Sequence, residues 1–142
     1  MEQTVQSNTE EFLEALRALA DRGELAGVIL HAHDTYTTDE RRLNGQLVCP
    51  GFSRVGTFTS HVRELLQAYG LTDRLMFVHS GDFLSPSYVS NQLKSHGEHM
   101  VDLLSALGVT HVTLGNHEFD HDEEGSAAIL LDMLDPTRAS FE

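Results

Sequence analysis

Apolar positions recur along the chain at two periods. Phe12, Leu13, Leu16 and Leu19 follow helical spacing until Gly23, which predicts an amphipathic helix. Ser7 and Glu10 stand at capping-box spacing before it, so residues 1–8 read as a flexible tail leading into a cap. Residues 25–30 form a short apolar run with β-branched members, the pattern of a buried strand, and end in His31-Ala32-His33-Asp34. Helical spacing returns in Phe58, Val62, Leu65 and Tyr69, predicting a helix over about 57–69 with Gly70 as its stop. A second apolar strand, 75–78, ends in His79-Ser80-Gly81-Asp82. Ser85-Pro86 then resembles a cap with proline in the first turn. The helical pattern over 87–107 is interrupted near Gly97, where Ser95 and Glu98 repeat the capping-box spacing. Met100, Val101, Leu104 and Leu107 form its buried face and Gly108 ends it. A third strand is predicted over 109–114 and a last helix over 126–134, closed by Asp135-Pro136.

Strands alternating with helices predict an α/β fold, a mainly parallel sheet covered by helices, in one domain over 1–142. Residues 35–57 stand apart as a long connection broken by Cys49-Pro50-Gly51, with a short strand predicted over 46–48. A connection of that length points to a function of its own.

In parallel sheets ligands bind beyond the carboxyl ends of the strands. Here Asp34 follows the first strand, Asp82 the second, and Asn116 and His117 the third. Carboxylate, amide oxygen and imidazole suit magnesium, manganese, iron or zinc. A carboxylate can bridge two ions roughly 3.5–4 Å apart, and Asp82 is the candidate for that bridge. A single aspartate after a strand is more often a cap or turn residue; recurrence at three successive strand ends is what raises the metal reading above it. His31 and His33 alternate along one strand, so at least one of them is structural. His61, His79, His96, His99, His111 and His121 are taken as non-ligands.

Composition narrows the partners. Twenty-two acidic against nine basic residues give a formal charge of −13, which argues against a nucleic-acid polymer or an anionic membrane as partner. A single cysteine, Cys49, excludes an internal disulfide and a cysteine zinc cage. No apolar run has the length of a membrane span, and the polar, acidic start has no signal-peptide pattern, so a cytoplasmic location is expected by default.

Three segments appear in order: Leu30-His31-Ala32-His33-Asp34-Thr35-Tyr36, Ser80-Gly81-Asp82-Phe83-Leu84-Ser85-Pro86-Ser87 and Gly115-Asn116-His117-Glu118-Phe119-Asp120. Together they resemble the first three motif blocks of the calcineurin-like metallophosphoesterases, most closely the 5'-nucleotidase and 2',3'-cyclic phosphodiesterase branch. Gly51-Phe52-Ser53-Arg54 is similar to a short segment that precedes a helix in that branch. The resemblance implies the first part of a metallophosphoesterase α/β sandwich and a dinuclear phosphoric ester hydrolase. It implies two divalent metal ions, a nucleotide or related small phosphate ester as substrate, and attack on phosphorus by a metal-bound hydroxide. By the same resemblance Asp34 binds the first metal, Asp82 bridges both and Asn116 binds the second. His117 meets the substrate phosphate as a catalytic residue, and Asp120 orients His117 and supports its protonated form.

The sequence departs from the family pattern in two ways. Tyr36 stands where the first block has a metal-binding histidine, and His33 stands where an asparagine is usual, so Tyr36 or His33 is the candidate replacement ligand. The histidine ligands of the family's later blocks, and the C-terminal half of its catalytic sheet, have no counterpart here. A chain incomplete in that way is expected to turn over little substrate alone, to self-associate or to require the missing half. The alternative is a non-catalytic remnant or binding module that keeps the first half of the fold.

Overall fold

The first helix runs further than its capping signal. In the computed structural model α1 spans Glu2–Asp21, so Ser7 and Glu10 lie inside it and the expected tail is helical from residue 2. No glycine or proline, the residues that most disfavour a helix interior, interrupts residues 2–21. The structure describes residues 2–35, 38–84, 98–120, 130–131, 135, 137 and 140–141. The chain divides into two compact units, Met1–Ile29 with Asp39–Leu75, and Leu30–Thr38 with Met76–Glu142.

In the first unit α1 ends where Gly23 takes φ 68°, and its last carbonyls accept from the N–H groups of Gly23 and Glu24. Leu16 is buried, and the Phe12 and Phe58 rings meet at 5.6 Å. Two short strands follow, β2 (Arg41–Leu43) and β3 (Gln46–Cys49), paired antiparallel with Leu43 opposite Gln46. Asn44 and Gly45 close the hairpin with φ 50° and 77°. Positive φ at both central residues matches the twist of the flanking strands. The expected strand over 46–48 is therefore present, with a partner that the periodicity of 35–45 does not reveal. Cys49 is a free, half-buried thiol.

Helix α2 spans Gly51–Ala68, six residues ahead of the start predicted at residue 57. The Thr57 and Thr59 hydroxyls donate to the carbonyls of Ser53 and Val55 one turn back, so residues that read as a loop are satisfied within the helix. Val62, Leu65 and Leu66 are buried, and Gly70 (φ 68°) ends the helical run as predicted.

The sheet has the order β1-β4-β5, from β1 (Val28–Ala32), β4 (Leu75–His79) and β5 (His111–Val112). β4 and β5 run parallel, with Val78 opposite His111 and His79 opposite Val112. Beyond the strands, Ser80 N–H donates to Ala32 O and Asp34 N–H to Gly81 O. These bonds advance in the same sense along both segments, as in a parallel pair.

Two strand expectations shift. β1 begins at Val28, not 25; at Gly27, just before it, a Cβ would lie 2.9 Å from the Arg74 carbonyl. The strand also alternates: Val28 is buried, but Ile29 is 72% exposed, against the reading of a fully buried run. β5 shrinks to two residues within the predicted 109–114. The Thr110 hydroxyl accepts from Phe77 N–H, so a side chain takes one ladder position, while the backbone N–H groups of Thr110 and Thr113 still donate to Phe77 O and His79 O at 2.8 and 2.9 Å.

Helix α3 (Glu98–Leu107) buries Met100, Val101 and Leu104, and Gly108 (φ 71°) ends it as predicted. With Phe77, Phe83, Leu84 and Val109 they are 3% exposed or less and form the core of the second unit. Each such side chain contributes about 1.5–3 kcal/mol of burial. The described residues thus form a mixed α/β structure with one parallel three-stranded sheet, a β-hairpin and three helices. The predicted start of the third helix over 85–97, and all but two residues of the helix over 126–134, lie outside the described residues. Among the described residues no helix is long and apolar enough to cross a membrane.

Candidate functional site

At the carboxyl ends of β1 and β4 the backbone turns sharply. Asp34 has φ 53°, Gly81 φ 94° and Asp82 φ 61°. An L-residue there costs roughly 1–2 kcal/mol, least for short polar side chains such as aspartate. Two aspartates in the left-handed region at neighbouring strand ends place backbone strain where the sequence puts its candidate ligands.

The first loop holds Asp34, whose N–H donates to Gly81 O at 3.3 Å. Its Oδ2 makes a very short contact with His33 Nδ1. The candidate ligand His33 therefore spends one ring nitrogen on the candidate ligand beside it. His31 Nε2 bonds Ser80 Oγ at 2.8 Å. The other candidate replacement ligand, Tyr36, lies outside the described residues.

His79, read from the sequence as a non-ligand, is fully buried behind these loops. Gly81 N–H donates to its Nδ1 at 3.2 Å, which puts the imidazole proton on Nε2, and Nε2–H donates to Thr35 Oγ1 at 2.7 Å. Burial pushes its pKa down to about 4, against a smaller opposing pull from Glu118. His79 is thus neutral near pH 7 and links the first loop to the second.

The second and third loops come into direct contact. Asp82 Oδ1 accepts the His117 N–H at 3.0 Å. Gly81 and Gly115 pass so closely that a Cβ on Gly81 would lie 2.7 Å from Gly115 Cα. Asn116 stands at the cap position of the short turn His117–Phe119, makes no side-chain capping bond and is exposed. Within that turn His117 Nδ1 lies 2.5 Å from Asp120 Oδ2. The Asp120 carboxylate holds the His117 pKa above the ordinary histidine value, with desolvation opposing it.

Glu118 is the residue that the sequence reading left without a role. Its carboxylate is fully buried. Oε1 accepts from the N–H groups of Phe83 (2.8 Å) and Leu84 (3.1 Å), and Oε2 from those of Asp82 (2.8 Å) and Gly115 (2.6 Å). Nothing in the hydropathy pattern separates this glutamate from a solvated one, since its partners are all backbone.

Of the expected site residues, Asp82 with His117, His117 with Asp120, and Asp34 with the Gly81 backbone are brought together. The oxygen donors of Asp34, Asp82 and Asn116 have the chemistry of a hard or borderline divalent-cation site. Among the described residues no three His, Cys, Asp or Glu side chains form such a group by themselves. A cleft of about 390 Å³ in the first unit, lined by residues including Leu13, Arg17, His61 and Tyr69, contains none of these residues. Compared with family models and with curated proteins, the sequence matches none.

Proposed function

We propose that the chain belongs to the catalytic domain of a calcineurin-like metallophosphoesterase of the 5'-nucleotidase and 2',3'-cyclic phosphodiesterase branch, and that it serves hydrolysis of a nucleotide or related small phosphate ester. The observation that carries this reading is the bond from His117 N–H to Asp82 Oδ1. It joins two of the three motif-bearing strand ends, while Asp34 joins the same junction through Gly81 O. Asp34, Asp82 and Asn116 are the residues that would hold divalent cations. Such cations, when bound, supply Lewis acidity toward phosphoryl oxygens and lower the pKa of water. His117, kept protonated to higher pH by Asp120, would stabilise negative charge gathering on the ester oxygens. Nδ1 is engaged by Asp120, so Nε2 is the nitrogen assigned to the phosphate.

The test measures manganese binding by titration calorimetry, and release of phosphate from an aryl phosphate, a 5'-nucleotide and a 2',3'-cyclic nucleotide with and without manganese. Cation binding with turnover that is lost in His117→Asn supports the hydrolase. Binding without turnover is expected of this chain alone on either reading. Turnover that appears when the missing half is supplied supports the hydrolase, and its continued absence assigns the chain to the alternative, a non-catalytic module retaining the first half of the fold. Folded protein that binds no cation overturns the hydrolase and leaves the non-catalytic remnant.

A further inference from the structure

The four bonds to Glu118 raise a question that general stability does not answer. A glutamate buried only for packing is an expensive choice, because a carboxylate taken from water needs every lone pair satisfied. Glu118 meets that demand in a particular place. Three consecutive N–H groups, those of Asp82, Phe83 and Leu84, point at it, an arrangement that forms an anion-binding nest in other backbones. Here a side chain of the protein fills it. The fourth donor, Gly115 N–H, comes from the strand end that carries Asn116 and His117.

The connection runs in both directions. Glu118 Oε2 holds the Asp82 backbone, and the Asp82 side chain in turn holds the backbone of His117, the residue just before Glu118. This ring fixes the Asp82 main chain and commits Oδ1, leaving Oδ2 as the oxygen to address a cation. It also fixes the start of the turn whose cap is Asn116. The neutral hydroxyl or amide of another side chain could not match it, since hydrogen bonds to an ionised acceptor are about twice as strong as neutral ones.

We propose that Glu118 is a positioning residue: its buried carboxylate clamps the Asp82 loop to the Gly115-Asn116-His117 loop and so sets the spacing of the two loops' ligands. The proposal rests on the reading of these loops as a cation site. Glu118 touches neither cation nor substrate; it acts through Asp82 and Asn116.

The test uses the whole chain and Glu118→Gln, which keeps the side-chain shape but turns one acceptor oxygen into an NH₂ donor facing two N–H groups. Amide hydrogen exchange reads the clamp, and manganese titration reads the ligand spacing. In folded Glu118→Gln the amides facing the new NH₂ group are expected to exchange at least ten-fold faster, and the manganese dissociation constant to rise about ten-fold or more. A dissociation constant within two-fold of the parent overturns the proposal. So does weaker binding with all four amides still protected, which would make the effect one of charge alone. Should Glu118→Gln not fold, the parent decides: the amides of Asp82, Phe83, Leu84 and Gly115 must exchange as slowly as those of Leu103 and Leu104 within α3, and fast exchange overturns the clamp. A parent chain that binds no manganese yet protects these amides counts against the cation site and leaves the clamp standing.

Discussion

A Cβ placed on Gly115 would stand 2.8 Å from Asp82 Cγ and 2.8 Å from the Asp82 backbone nitrogen. The glycine is required by its neighbour across the junction and not by its own backbone angle. Gly115→Ala must push the Asp82 loop away, and overpacking of that kind costs about 1–3 kcal/mol. Urea denaturation should show a loss in that range.

His79 gives the stability a defined pH dependence. Its pKa in the folded chain is about 4, against 6.5 for an unperturbed histidine, so between those values the unfolded chain binds the extra proton. Its contribution is therefore fully present above about pH 6.5 and is lost as pH falls toward 4, by about 3 kcal/mol across the window. Urea midpoints measured from pH 7 to pH 4 should fall accordingly. The slope from this group should vanish in His79→Gln, whatever that variant's stability at pH 7.

Helix faces and stops were legible in the sequence because they depend on local spacing. Met100, Val101 and Leu104 are buried, and Gly108 ends its helix, as the pattern requires. What failed to show depends on tertiary contact. Gly27, just before β1, lies close against the carbonyl of Arg74, and beside β5 the Thr110 hydroxyl takes one ladder position. The candidate site divides in the same way. Asp34, Asp82, Asn116, His117 and Asp120 are visible because strand ends expose them as short motifs. Glu118 and His79 are not, since a buried polar residue is identified by partners distant in sequence. The hairpin turn Asn44-Gly45 was not read from the sequence, although the dipeptide suits positive φ, because the stretch around it read as one long connection.

That turn supplies its own test. Gly45 has φ 77°, and a Cβ there would meet nothing within 4 Å, so Gly45→Ala carries a conformational cost alone. The expected loss is about 1 kcal/mol, read from urea denaturation. Gly45→Asn should recover part of it, because asparagine tolerates the left-handed region.

The elevated His117 pKa should depend on Asp120. The carboxylate at 2.5 Å is its main cause, so Asp120→Asn should move the His117 titration down toward the ordinary histidine value. Proton NMR of the imidazole across pH 5–9 measures the shift directly. A midpoint unmoved in the variant would assign the elevation to other neighbours, of which Asp82 and Glu118 contribute in the same direction.

Asp82→Asn separates charge from shape at the junction of the loops. Asparagine tolerates the φ of 61° that Asp82 adopts, as one of the few side chains enriched there. Its amide oxygen can still accept the His117 N–H that Asp82 Oδ1 now accepts. The fold should therefore survive with a stability change of about 1 kcal/mol or less, against the larger loss expected of Gly115→Ala. The anionic ligand is nevertheless gone, and a hard divalent cation favours carboxylate over amide oxygen. Manganese binding by titration calorimetry should fall at least ten-fold while the urea midpoint stays near that of the parent. Unchanged manganese affinity in the folded variant would remove Asp82 from the site, and with it the reading of the strand ends as a shared cation centre.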